Sequence, residues 1–288
     1  MTVLEVIQRS TAFLGEKGVS SPRLHSELLL AYALKIPRMQ LYLNFERALT
    51  DTESNTIREF IRRRGQREPV QQIMGSTNFC GIELKLDRSV LVPRPETELL
   101  AEHGWKFLQA LIAKDTPAPR AFDLGTGSGC IAIALALHAP TAEIIANDAS
   151  ADALKVASGN AQRLHVAERI QFVQEDGFSF LANTKPLHLL ISNPPYIPGA
   201  EIDTLEPEVS KFEPRSALDG GPDGLEFFRR LASSARDVLL PAGKIMAEFG
   251  DGQEQRLEEI FTREMWIVEA IERDYTGRPR FLVASLRA

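Results

Sequence analysis

The chain has 288 residues, 44% of them hydrophobic and 25% charged, enough for one large domain, or a large and a small one, without disulfides or a structural metal. The formal net charge is −6; proteins that live by gripping nucleic-acid backbone usually show a basic excess, so stable nucleic-acid binding is not expected. Cys80 and Cys130 lie far apart, the five histidines show no metal-ligand spacing, and no apolar run could span a bilayer, so the expectation is a cytoplasmic protein with no disulfide, metal, signal peptide or membrane-spanning segment.

Residues 1 to about 70 read as a small helical bundle. Leu24, Leu28 and Leu29 repeat at helical spacing within Arg23-Leu34, after a Ser20-Ser21-Pro22 start signal. Thr50-Asp51-Thr52-Glu53 is a capping-type entry to a helix running to about Arg64. The run Arg62-Arg63-Arg64 is most simply a solvated charged face. Gly65 to Pro69 breaks the pattern. Residues 76–92 read as extended, Phe79, Ile82, Leu84 and Leu86 partly alternating with polar residues around a turn at Gly81, which predicts a β-hairpin.

From Pro93 the rhythm becomes strand, helix, strand. Strands are predicted at Ala121-Leu124, Glu143-Asn147, Ile170-Gln174, Leu187-Ser192 and Lys244-Glu248. Helices are predicted at Cys130-His138, Ala151-Leu164 and Gly224-Leu239. This alternation implies an α/β domain, a parallel sheet with helices on both faces. Trp266-Ile271 and Arg280-Ser285 are two late strands that close one edge as a hairpin.

The first strand of that domain runs into Gly125-Thr126-Gly127-Ser128-Gly129. Glycines in a strand-to-helix turn permit φ > 0 and let a ligand approach the backbone, and the helix behind them offers free N–H groups. Asp148 ends the next strand, 19 residues after Gly129, the spacing at which a carboxylate reaches a ribose diol in Rossmann-like folds. Its plain alternative is the N-cap of the following helix, which Ser150 could supply instead. Asp176-Gly177-Phe178 ends the third strand, where a side chain can meet an adenine. Asp123, inside an apolar strand end, must be hydrogen-bonded; backbone N–H groups of the glycine turn are its expected partners, with indirect help to a ligand's amino group as a secondary role. A Gly-x-Gly-x-Gly loop differs from the Gly-x-Gly-x-x-Gly that seats a pyrophosphate, so phosphate-free S-adenosylmethionine suits it better than a dinucleotide.

The fourth strand runs into Asn193-Pro194-Pro195-Tyr196. The prolines fix φ and remove donors, leaving the Pro194 carbonyl free. The Asn193 side chain adds a second acceptor, and Tyr196 an aromatic face. Two acceptors can bind both hydrogens of a planar NH2 group, align its nitrogen with a sulfonium methyl, and stabilise the charge that develops. A rigid turn is the competing reading.

These residues resemble amino-group methyltransferases in general. Pro93-Arg94-Pro95-Glu96-Thr97-Glu98, Glu213-Pro214-Arg215-Ser216-Ala217-Leu218, Gly220-Gly221-Pro222-Asp223-Gly224-Leu225, Asp274-Tyr275-Thr276-Gly277-Arg278-Pro279-Arg280 and Ser21-Pro22-Arg23-Leu24 with Glu27-Leu28-Leu29-Leu30 resemble the peptide chain release factor glutamine methyltransferases, the PrmC or HemK family. The resemblance implies an N-terminal helical substrate-recognition domain (1–72), a β-hairpin linker (73–92) and a Rossmann-like, seven-stranded class I methyltransferase domain (93–288). It implies methyl transfer from S-adenosyl-L-methionine to the glutamine amide nitrogen of a release factor's Gly-Gly-Gln motif, with S-adenosyl-L-homocysteine as product, by a monomer. Carried over by motif, Gly125, Thr126, Gly127, Ser128, Gly129, Asp148, Asp176, Gly177, Phe178 and Asn193 bind the cofactor. Asn193, Pro194, Pro195 and Tyr196 bind the glutamine, and Asn193, Pro194 and Tyr196 are catalytic. Glu96 and Thr97 are placed at the cofactor's methionine end. Gly177 stands where some members carry a large aromatic, and His25-Ser26 replaces a small acidic pair. Methylation of a ribosomal-protein glutamine, or of nucleic-acid adenine N6, are the alternative activities.

Overall fold

A computed structural model describes residues 1–286 and divides them into two compact units. One comprises Met1–Ser76 with Leu205–Phe212, the other Thr77–Thr204 with Glu213 onward.

The first unit is helical: α1 (Val3–Glu16), α2 (Pro22–Leu34), α3 (Asp51–Gly65) and α4 (Val70–Met74). Thr2 and Thr50 begin α1 and α3 as full capping boxes, each hydroxyl accepting from the N–H of a glutamate three residues on and each glutamate closing back on the threonine N–H. Val3, Val6, Ile7 and Leu14 of α1 meet Leu29 and Leu30 of α2 and Ile57 and Ile61 of α3 in one core. The arginine run is no uniform solvated face. Arg62 pairs with Glu59 at 2.6 Å and Arg63 with Glu68 at 2.7 Å, while Arg64, 2% exposed, donates to His25 Nδ1 at 3.2 Å and to Glu208 at 2.5 Å. Burial and the Arg64 charge push the His25 imidazole down to about 4, so it accepts as a neutral ring. Ser26, also buried, donates to the Pro22 carbonyl at 2.8 Å.

In the second unit β1 (Ser76–Phe79, its first residue in the helical unit) and β2 (Ile82–Lys85) form the hairpin, turning at Cys80-Gly81. It packs on its own unit: Cys80 N donates to Glu98 at 3.0 Å, and Lys85 N to Asn160 Oδ1 at 2.7 Å. The predicted extended stretch is shorter than expected, since residues 86–94 have no regular structure.

The rest is α5 (Pro95–Ile112), β3 (Arg120–Leu124), α6 (Cys130–His138), β4 (Glu143–Asp148), α7 (Ala151–Arg163), β5 (Ile170–Gln174), α8 (Gly177–Leu181), β6 (Leu187–Ser192), α9 (Pro207–Ser210, within the helical unit), α10 (Glu226–Ser234), β7 (Leu239–Glu248), α11 (Glu254–Arg263), β8 (Trp266–Arg273) and β9 (Pro279–Leu286). Seven strands form one sheet in the order β5-β4-β3-β6-β7-β9-β8. β5 through β7 run parallel, and β9 pairs antiparallel with both β7 and β8. The strands alternate their side chains between two cores, as a sheet buried on both faces requires. Ala121, Leu189 and Ile191 face α5, α6 and α7; Phe122, Leu124 and Leu190 face α8, α10 and α11. Burying a side chain such as Phe122 or Phe261 contributes about 1.5–3 kcal/mol.

The order of strands reverses between β3 and β6. At such a switch point the chain leaves the sheet in opposite directions and opens a crevice at the carboxyl ends of the strands.

Candidate active site

The turn after β3 is built for conformation. Gly125 and Gly127 have φ of 77° and 54°, with nothing within 4 Å of where a Cβ would stand, so backbone strain and not space demands glycine there. Three side chains hold the turn. Asp123, wholly buried, accepts through Oδ2 from Thr126 Oγ1 at 2.6 Å and from the Ala132 N–H at 3.1 Å; burial pushes its carboxyl up to about 7. Asp148 accepts from the Gly127 N–H at 2.9 Å and from the Ser150 N–H at 2.9 Å. Ser150 is the side-chain N-cap of α7, accepting from Ala153 at 3.2 Å.

Asn147 is the third, and sequence reasoning passed over it. It is buried; its carbonyl accepts from Thr126 N at 2.7 Å, its Oδ1 from Gly125 N at 3.3 Å, and its Nδ2 donates to the Glu175 carbonyl at 2.7 Å. One side chain thus ties the ends of β3, β4 and β5 together. A polar residue closing the apolar run Ile144-Ile145-Ala146 was the available signal.

Gly125 to Ser128, Asp148, Asp176 to Phe178 and Asn193 to Pro195 line one cavity of about 260 Å³. Gly129 and Tyr196 do not line it. At the β5 end the Asp176 carboxylate faces Arg230 and Ser179, both at 3.1 Å. Phe178 packs against Phe227, ring centres 5.0 Å apart, and the Arg230 guanidinium lies 4.2 Å above the Phe178 ring. Phe227 also lines the cavity and was not foreseen. It falls on α10 as one residue of an amphipathic helix, where periodicity assigns it to the core.

At the β6 end no described residue donates to Asn193 Oδ1 or to the Pro194 carbonyl. Behind Asn193 stands a chain of polar groups. Asn193 Nδ2 donates to Thr97 Oγ1 at 3.0 Å, Thr97 lies 2.6 Å from Glu248 Oε2, and Tyr196 Oη lies 3.4 Å from Glu248 Oε1. Thr97 is 1% exposed and lines the cavity wall. Glu248, wholly enclosed at the end of β7, has its carboxyl pushed up to about 7 by burial. Glu248 and Asp123 raise the Tyr196 and Cys130 side chains respectively, in each case after the larger effect of burial itself. Tyr196 is held behind the cavity, its carbonyl accepting from Gln253 Nε2 at 2.9 Å.

Among the described residues no group of three His, Cys, Asp or Glu side chains could hold a metal, and no helix is long and apolar enough to cross a membrane.

Two family models match, the PrmC N-terminal domain over residues 5–75 and the methyltransferase small domain over residues 101–207. The release factor glutamine methyltransferase of Chlorobaculum tepidum is 46% identical over 250 residues, covering 86% of this chain and 85% of that one. The chain belongs to the release factor glutamine methyltransferase family. It is a methyltransferase. The namesake from Geobacter sulfurreducens is 39% identical over 262 residues, covering 91% and 89% of the two chains. Among solved structures, the ribosomal protein L11 methylase from Lactobacillus delbrueckii subsp. bulgaricus superposes at TM-score 0.50 with 19% identity, over 71% of this chain and 86% of that one. The hMettl16 catalytic domain in complex with MAT2A 3'UTR hairpin 1 superposes at TM-score 0.54 with 14% identity, over 79% and 80%. At those identities the likeness is one of fold, and it agrees with the seven-stranded sheet of this methyltransferase.

Proposed function

We propose that this methyltransferase methylates the side-chain amide nitrogen of the glutamine in the Gly-Gly-Gln motif of peptide chain release factors, and so modulates translation termination. The observation that carries the proposal is the pair of acceptors beside the glycine-turn cavity, Asn193 Oδ1 and the Pro194 carbonyl, that find no donor among the described residues. An amide NH2 has two hydrogens and satisfies both.

The residues present fit S-adenosyl-L-methionine. Gly125 to Ser128 offer backbone without a phosphate-length loop, Asp148 on the cavity wall offers a carboxylate to a ribose diol, and Gly177, Phe178 and Phe227 offer flat apolar walls for adenine. Asp176 borders that end. When bound, the cofactor supplies an electrophilic methyl on a sulfonium. Asn193 and Pro194 orient the amide nitrogen for in-line attack and stabilise its developing positive charge. The methyl would pass from the sulfonium to the amide nitrogen that Asn193 Oδ1 and the Pro194 carbonyl hold, and the cofactor would leave as S-adenosyl-L-homocysteine. The cationic nitrogen then loses a proton to water, so no strong base is needed. Pro195 stiffens the turn, and Tyr196 supports it from behind. Residues 1–72 serve substrate recognition, 73–92 link, and 93–288 carry the reaction.

Labelled methyl transfer to a release factor, to ribosomal proteins and to DNA, measured side by side, tests the reading. Labelling of the release factor supports it; labelling of ribosomal protein or DNA in its place refutes it.

A further inference from the structure

An asparagine amide is nearly symmetric in shape, and its two ends have opposite hydrogen-bonding character. Turned one way, Asn193 presents an acceptor to the cavity. Turned the other way, it presents an NH2 against the NH2 of its substrate. The substrate cannot select the orientation without losing binding energy, so something in the protein has to fix it beforehand.

The polar chain behind Asn193 has the geometry to do this. Thr97 Oγ1 carries one hydrogen. It lies 2.6 Å from Glu248 Oε2 and 3.0 Å from Asn193 Nδ2. Ionised, the Glu248 carboxylate can only accept, so the Thr97 hydroxyl donates to it and keeps only lone pairs for Asn193. Asn193 must then turn its NH2 toward Thr97 and its Oδ1 toward the cavity. Thr97 and Glu248 are 1% and 2% exposed, so water does not compete for these bonds. The three residues lie at the N-terminal turn of α5, the end of β6 and the end of β7, elements that pack on one another in a single unit.

We infer that Glu248 and Thr97 are positioning residues that set the direction of the Asn193 amide, and so make it an acceptor for the substrate nitrogen. The inference rests on the role proposed for Asn193. It gives Glu248 a reason to occupy the interior, where a carboxylate is otherwise costly, and it gives Thr97 a function beyond starting a helix.

The test uses the full chain with S-adenosyl-L-methionine and an intact release factor. Thr97→Val keeps the shape of the side chain and removes the hydroxyl. The expected result is a fall in kcat of at least about tenfold, with cofactor affinity and the KM for release factor within about threefold of wild type, and recovery of most of the rate in Thr97→Ser. A kcat unchanged in Thr97→Val overturns the inference, as does a loss confined to cofactor affinity. If Thr97→Val does not fold, Glu248→Gln serves. Its amide can face Thr97 with either end, so the hydroxyl is no longer forced to donate and kcat drops several-fold; an unaltered kcat overturns the inference. Asn193→Ala is the control. If it is inactive while Thr97→Val and Glu248→Gln are fully active, only the relay fails. If Asn193→Ala itself turns over normally, the reading of Asn193 fails first.

Discussion

A Cβ on Gly177 would stand 2.0 Å from Leu124 Cδ1 and 2.7 Å from Asn147 Oδ1. Gly177 is the first residue of α8 and Leu124 the last of β3, so this one contact sets how closely the β5 end of the site approaches the glycine turn. A bulky aromatic has no room here. The flat wall is supplied by Phe178 and Phe227 instead.

Gly177→Ala should therefore displace either α8 or the Asn147 side chain. Overpacking of this kind costs about 1–3 kcal/mol, and loss of the Asn147 hydrogen bonds loosens the glycine turn. Thermal denaturation should show a lower midpoint, and calorimetric titration a weaker affinity for S-adenosyl-L-methionine. Wild-type values in both would mean that the crowding is relieved without consequence.

Phe227→Ala separates a cavity wall from a core residue. Phe227 is half-buried and lines the cavity, whereas its neighbour Phe228 is wholly enclosed. Cofactor affinity should drop by about two- to tenfold in Phe227→Ala, in keeping with the loss of one aromatic contact beyond area burial. Phe228→Ala should instead lower stability by about 3–5 kcal/mol. Equal effects of the two substitutions on binding would remove Phe227 from the site.

Glu248 predicts opposite pH trends for stability and rate. Its carboxyl is raised from 4.5 to about 7, first by burial and further by Glu96 on α5; the Thr97 and Tyr196 hydroxyls and Arg280 on β9 oppose the rise. A folded-state value above the unfolded one means that the folded protein holds the proton more tightly. The cost of the buried charge is fully present above about pH 7 and is relieved as pH falls toward 4.5. Asp123, raised from 3.8 to about 7, adds to the same trend. The thermal midpoint should rise as pH drops from about 8 to about 5, and less so in Glu248→Gln. Turnover should move the other way, falling through about pH 7 as Glu248 takes a proton and the Thr97 hydroxyl is freed to donate elsewhere. A rate profile that keeps its step at neutral pH in Glu248→Gln would assign that step to another group.

The sheet was legible in the sequence because its strands are short apolar runs ended by turn residues. β4, β5 and β6 lie within one residue of their expected bounds, and α6 matches residue for residue. The register with Leu187 draws Leu239 into β7, which shortens the predicted Gly224-Leu239 helix to α10; an apolar Val238-Leu239-Leu240 run fits either period. α11 was not foreseen, since only Leu257 and Phe261 of its ten residues are buried. In the site, the glycine turn and Asn193 to Pro195 were legible because each is contiguous in sequence. The relay was not. Thr97 and Glu248 stand 151 residues apart, and only the fold of β7 beside α5 brings them together. Tyr196 was legible as a residue but not as a position: read as a stacking face, it sits outside the cavity lining with its hydroxyl toward Glu248.

Asn193→Ala removes one of the two proposed acceptors. Loss of a single polar contact of this type costs about 10²–10³ in kcat, while affinity for the cofactor should stay close to wild type because the glycine turn and the Phe178 wall are untouched. A rate within a few-fold of wild type would contradict the role given to Asn193.

The most direct measurement is tandem mass spectrometry of release factor peptides after incubation with this methyltransferase and S-adenosyl-L-methionine. A single added methyl on the Gly-Gly-Gln glutamine is the predicted result. An unmodified glutamine in an intact, wild-type motif, or a methyl located at another residue, would contradict it.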